Sequence, residues 1–174
     1  FLRGDQVCDF NFSDQFSNGW TWTWQVPRGK FDQILSNGAK KMGIPGEDAA
    51  GVIDQLVFLS DVRQGHTTAI GPNVAIIGGG NSAMDAARTA LRIVGEAGRV
   101  RVVYRRTRAE MPADLEEVKA LLDEGIEVLE LHQPLEIVIA SGKVAGMKCQ
   151  KMQLGEKGPD GRRKPVPIKD AIID

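Results

Sequence analysis

Between Val74 and Tyr104 the sequence leaves little choice of fold. Val74-Ala-Ile-Ile77 is an unbroken apolar run, the pattern of a strand buried on both faces of a parallel sheet. Gly78-Gly-Gly80 follows at once. The next stretch, Asn81 to about Val94, is rich in alanine at positions 83, 86, 87 and 90. It predicts a helix that Gly95 and Gly98 bring to an end. Val100–Tyr104 is a second apolar strand. Strand, glycine turn, helix and strand make a β–α–β unit, whose strands run parallel with a right-handed crossover.

The remaining chain extends this unit. After Val102-Val-Tyr-Arg-Arg-Thr-Arg108, Pro112 fits the first turn of another helix. Leu115, Val118, Leu121 and Leu122 would form its core face, with Gly125 as its cap. Ile126–Leu131 reads as a third strand. Leu135–Ala140 and Val144–Leu154 flank Ser141-Gly142 and read as a β-hairpin. Gly155–Lys164 reads as a polar loop whose Arg162, Arg163 and Lys164 are solvated. Upstream, Val52–Val62 has apolar residues at helical spacing over about three turns. The fold class expected is α/β: a Rossmann-like parallel sheet with an antiparallel β-hairpin excursion.

Two regions are expected, residues 1–30 and 31–174. In the first, Trp20, Trp22 and Trp24 alternate with threonine, which is a strand with one aromatic face. That face could dock a flavin, a sugar or a partner protein, but strand packing alone accounts for the spacing. The second opens with the apolar segment Phe31–Leu35, ended by a turn at Asn37-Gly38. With 42% hydrophobic residues in 174, there is material for a real core. A net charge of −1 argues against nucleic-acid binding. No apolar run approaches the roughly 20 residues of a membrane helix. Cys8 and Cys149 are too few and too far apart for a metal or cluster site, and read as free thiols in a reducing cytoplasm.

Gly78-Gly79-Gly80-Asn81-Ser82-Ala83 fits G-x-G-x-x-A, and each position has a physical reason. Gly78 permits the tight turn out of the strand, Gly80 lets a pyrophosphate approach the backbone, and Ala83 lets the helix lie close to the sheet. The helix start offers unpaired N–H groups and a partial positive charge to phosphate. Asn81 and Ser82 could cap that turn or donate to phosphate. An NAD site carries Asp or Glu about 20 residues further on, for the ribose 2′-OH. Here the second strand ends instead in Arg105-Arg106. A guanidinium suits a 2′-phosphate, because it stays charged and presents a planar fork. The stretch therefore predicts NADPH over NADH, read by Arg105 and Arg106, with Arg108 left open.

NVAIIGGGNSAMDAARTALR followed by VRVVYRRTRAEMPA closely resembles the NADPH-binding domain of the glutamate synthase small (beta) subunit family. MGIPGEDAAGV (Met42–Val52) and GRRKPVPI (Gly161–Ile168) are similar to two further segments of it. The likeness runs from about Phe31 to Ile168 and is strongest over Asn73–Ala113. It implies a flavin-dependent pyridine nucleotide oxidoreductase, in which NADPH gives electrons to FAD and often onward to a partner subunit. It assigns the pyrophosphate to Gly78, Gly80 and Ala83 and the 2′-phosphate to Arg105 and Arg106. It also brings the Glu110–Ala113 stretch near the cofactor. There are departures: no second glycine fingerprint for FAD, no cysteine set for clusters, and Ser36-Asn-Gly-Ala39 where the family has a different turn.

The expectation is an NADP(H)-binding piece of a larger flavoprotein, dependent on an FAD domain or an electron-accepting partner subunit. No catalytic residue and no metal ligand is assigned. Two other classes compete. One is a self-contained NADP-dependent dehydrogenase, for which neither His66 nor Tyr104 is well placed as an acid or base. The other is a non-catalytic nucleotide-binding or docking module that uses the tryptophan face.

Overall fold

The computed structural model describes residues 42–66 and 70–173, together with two short strands, β1 (Leu2–Arg3) and β2 (Gln6–Val7), paired antiparallel. The Trp20/Trp22/Trp24 face, the Phe31–Leu35 segment, the 36–39 turn and Thr67-Thr68 lie outside the described residues.

The order from residue 55 onward is α1 (Gln55–Arg63), β3 (Asn73–Ile77), α2 (Asn81–Val94), β4 (Arg99–Tyr104), α3 (Leu115–Asp123) and β5 (Glu127–Glu130). Then come β6 (His132–Ala140), β7 (Lys143–Lys157) and β8 (Arg163–Ile173). Strands β3, β4 and β5 form one parallel sheet in that order. Strands β6, β7 and β8 form a second sheet, antiparallel throughout. This is the α/β architecture expected from the sequence.

One core joins the first sheet to its helices. Ile76, Val100 and Val102 from the strands meet Phe58 of α1, Met84 and four alanines of α2, and Val118 and Leu121 of α3. The alanines are what let α2 lie so close, since Ala86, Ala87 and Ala90 are fully buried with almost no side chain to accommodate. β4 is the central strand, and both of its faces are covered: Val102 faces the helices, and by alternation Val103 faces the other way and is also buried. β3 is not buried on both faces as its apolar run suggests. Among the described residues it is an edge strand, Ile76 is its only buried residue, and Ala75 is exposed.

Three further differences have local causes. The helix expected from Val52 starts at Gln55, because the Asp54 carboxylate accepts from the N–H of Leu56 (2.9 Å) and Val57 (3.2 Å) and fixes the N-terminus there. Pro112 lies outside α3 rather than in its first turn, since Asp114 is extended and the N–H groups of Ala113 and Asp114 are bonded to Gly79 and Asn81. Leu115 then sits at the helix start, 83% exposed, and the core face is carried by Val118 and Leu121. Gly125 does follow the helix in the left-handed conformation expected of a terminating glycine (φ 80°).

The hairpin at Ser141-Gly142 forms as expected, but it has a third strand. Residues 155–157 and 163–164, expected as loop, belong to β7 and β8. Leu131 joins the two sheets. Its N–H donates to the Arg106 carbonyl (3.1 Å) and its carbonyl accepts from Met152 N–H (2.8 Å). It does so at φ 60°, a conformation that costs a non-glycine residue about 1–2 kcal/mol.

Candidate functional site

The carboxyl ends of β3 and β4 lie side by side in register, Ile77 opposite Val103. In an open parallel sheet this edge is where ligands bind. The glycine turn leaves β3 here, and its three glycines have three different reasons. Gly78 has φ 140°, where an L side chain is strained, and its N–H donates to the Val103 carbonyl at 3.1 Å. Gly79 is packed: a Cβ there would come within 2.7 Å of the Tyr104 ring. Gly80 is neither. Its backbone is ordinary extended (φ −94°, ψ 173°), and a Cβ would meet no protein atom within 4 Å. The fold does not require glycine at position 80, so the missing side chain leaves open space in front of the α2 N-terminus.

Gly80 is the N-cap of α2, and no side chain caps this end. The N–H groups of the first turn are unpaired by the geometry of any helix. Intrahelical bonding starts with Ala83 and Met84, which both donate to the Gly80 carbonyl (3.0 and 3.2 Å). Ser82 is exposed beside this opening, and Ala83 is buried against the sheet. The Asn81 side chain is used differently. Its Nδ2 donates to the Asp114 carboxylate and its Oδ1 accepts from Asp114 N–H, each at 2.9 Å. Asn81 thus ties the glycine turn to the start of α3. Ala113 N–H adds a bond to the Gly79 carbonyl (3.1 Å), so the Glu110–Ala113 stretch does come to the glycine turn.

The floor of the turn is built from two residues that the sequence does not link to the glycine turn. Tyr104 lies under Gly79, with its hydroxyl donating to the Glu110 carbonyl (2.9 Å). Gln55 of α1 reaches across to donate to the Ile77 carbonyl (2.6 Å), where β3 ends. No local pattern announces either contact. Each depends on where a distant element packs.

The three arginines after β4 separate. Arg105 is exposed and has no hydrogen-bond or ion-pair partner among the described residues. Arg106 donates from Nε to the Arg163 carbonyl (2.7 Å). Arg108 pairs with Glu130 at the end of β5. No acid occupies the position that a 2′-OH ligand would take directly after β4. Arg162 is not simply solvated: it is paired with Asp160 (2.8 Å). Among the described residues, no group of three or more His, Cys, Asp or Glu could hold a metal ion, and no helix is long and apolar enough to cross a membrane. Cys149 is a free, buried thiol, whose pKa burial pushes upward.

Fold and turn together define an α/β domain with a glycine-rich first crossover of the nucleotide-binding type. Residues 33–157 match the family described as pyridine nucleotide-disulphide oxidoreductase, and the chain belongs to that family. Among its relatives is the NADP(+)-dependent formate dehydrogenase subunit beta of Moorella thermoacetica, 43% identical over 75% of this chain and 18% of that protein. Another is the NADPH-Fe(3+) oxidoreductase subunit beta of Geobacter sulfurreducens, 39% identical over 80% of this chain and 22% of that protein. A provisionally named glutamate synthase (NADPH) small chain of Cereibacter sphaeroides is 38% identical over 83% of this chain and 37% of that protein. The likeness to glutamate synthase small subunits read from the sequence is borne out by these relatives. The chain spans well under half the length of each. Among solved structures, Lactococcus lactis thioredoxin reductase matches 74% of this chain and 38% of its own, with a TM-score of 0.48 and 20% identity.

Proposed function

We propose that this chain holds NADPH at the carboxyl edge of the β3–β4 sheet and presents it for hydride transfer to a flavin carried elsewhere in the oxidoreductase. The observation that carries the reading is Arg105, a guanidinium without a partner among the described residues, placed where an NAD site has its acid. Gly80 supports it from the other side of the site. The pyrophosphate would lie over Gly78, Gly79 and Gly80, against the N–H groups of Asn81 and Ser82, with Ala83 keeping α2 close behind. The 2′-phosphate would be held by Arg105 and by the terminal nitrogens of Arg106.

When bound, NADPH supplies the hydride. The protein supplies binding, orientation and the electrostatics of the phosphates, and needs no acid or base of its own. This fits the described residues, where Tyr104 is committed to Glu110 and the exposed His66 lies near only Asp61. The names of the relatives favour NADPH, and two of them name a subunit beta, which favours a partner subunit as the further acceptor.

The test is calorimetric titration with 2′,5′-ADP and with 5′-AMP. Wild type should prefer 2′,5′-ADP, and Arg105→Ala/Arg106→Ala should remove that preference. The loss should be about 1.5–3 kcal/mol per charged hydrogen bond. Equal binding of the two nucleotides by wild type sinks the reading.

A further inference from the structure

The turn between β7 and β8 lies far from the glycine motif in sequence, yet it touches the arginine stretch. Arg106 Nε donates to the main-chain carbonyl of Arg163 at 2.7 Å, across 57 positions. The Arg106 carbonyl accepts from Leu131 N–H. The residue is therefore fixed at its backbone and partway along its side chain, with its terminal nitrogens unpartnered among the described residues. The turn itself is tightly folded. Gly158 N–H donates to the Arg162 carbonyl (2.8 Å), and Gly161 sits at φ 74°. Asp160 accepts from Arg162 twice, from the main-chain N–H (3.2 Å) and from Nε (2.8 Å), and Nη2 of the same guanidinium lies 2.8 Å from the carboxylate as an ion-pair contact.

We infer that the β7–β8 turn is a specificity element of the 2′-phosphate site: the Arg163 carbonyl orients Arg106, and the Asp160–Arg162 pair keeps a nearby carboxylate from competing for it. The inference rests on the NADPH reading above. The Asp160 carboxyl is held below the usual carboxylate range, first by the Arg162 N–H, next by its side chain, and to a lesser degree by the Arg106 charge. The carbonyl that holds Arg106 belongs to Arg163, the neighbour of Asp160's partner Arg162, so the carboxylate and the Arg106 guanidinium are tied to adjacent residues of one short turn, and the charge of each acts on the other and on any phosphate that Arg106 binds. With Arg162 in place, the carboxylate is largely offset. Without it, an unpaired negative charge remains in the turn that holds the guanidinium. Asp160 and Arg162 are thus positioning residues that act through Arg106.

The full chain is titrated with 2′,5′-ADP and with 5′-AMP, as wild type, Arg162→Ala, Asp160→Asn and the double variant. Arg162→Ala should weaken 2′,5′-ADP about five-fold, as expected for one partly screened charge. Asp160→Asn should strengthen it by a similar factor. In Arg162→Ala/Asp160→Asn, affinity should recover at least to the wild-type level, because the competing carboxylate is gone. Binding of 5′-AMP should be the same in all four, and the differences should shrink as salt is raised. If wild type prefers 2′,5′-ADP but the ratio of the two affinities is unchanged in both single variants, this inference is wrong while the NADPH reading stands. If wild type shows no preference, the NADPH reading fails and takes this inference with it.

Discussion

Gly79 and Gly80 are neighbours with opposite reasons for lacking a side chain, and substitution separates them. Gly79→Ala puts a methyl group 2.7 Å from the Tyr104 ring, so the ring or the turn must shift. We expect a loss of about 1–3 kcal/mol in stability, the usual range for overpacking, measured by urea unfolding. Gly80→Ser places a favoured N-cap residue at an open position with ordinary dihedrals. Its stability should be unchanged or slightly higher, while its side chain occupies the space expected for the pyrophosphate. Nucleotide affinity should fall at least ten-fold, since the backbone can no longer be approached. A Gly80→Ser chain that binds NADPH like wild type would exclude the cradle. Gly80 was legible in the sequence as a fingerprint glycine, whereas Gly79 stood at one of the variable positions of the motif. Their separate reasons were not legible, because Tyr104 comes under Gly79 only once β3 and β4 are paired.

At the scale of elements, α2 and α3 are joined by Arg88. It donates from Nη1 to Glu117 and from Nε to Glu124, both at 2.8 Å, and Arg92 adds a contact to Glu124 at 3.2 Å. The Glu124 hydrogen bond is the main cause of the raised Arg88 pKa, so the guanidinium stays charged throughout the working pH range. These groups are partly exposed, which limits what the pairs are worth. Arg88→Met should cost about 1 kcal/mol at low ionic strength, and less in about 1 M salt, as read from paired thermal melts. Helix α2 was legible to the residue, because strand, glycine and alanine signals agree over one short stretch. Strand β8 was not. Pro165 and Pro167 look like strand breakers, but an edge strand can leave its outer side without N–H groups, and among the described residues β8 pairs only with β7. The start of α3 was misread for a related reason: Pro112 looked like a first-turn residue, but the cap is set by Asn81, which lies 33 positions away and leaves no local mark.

For the whole molecule, the Asn81–Asp114 pair has a thermodynamic consequence. The residue that opens α2 beside the proposed nucleotide site also holds the segment from which α3 starts. Freezing the first turn of α2 by ligand therefore restrains α3, and restraint of α3 must favour the ligand by the same factor. Hydrogen exchange makes this visible. Saturating NADPH should slow exchange in Leu115–Asp123 as well as in the first turn of α2. In Asn81→Ala the slowing should be confined to α2. If α3 amides in wild type ignore the ligand, the two helices are independent. If they respond, occupancy of the cradle is communicated to a helix whose first residue, Leu115, stands almost fully in solvent. The domain would then offer a neighbouring chain a firmer surface when loaded than when empty, and a partner could sense the cofactor without touching it.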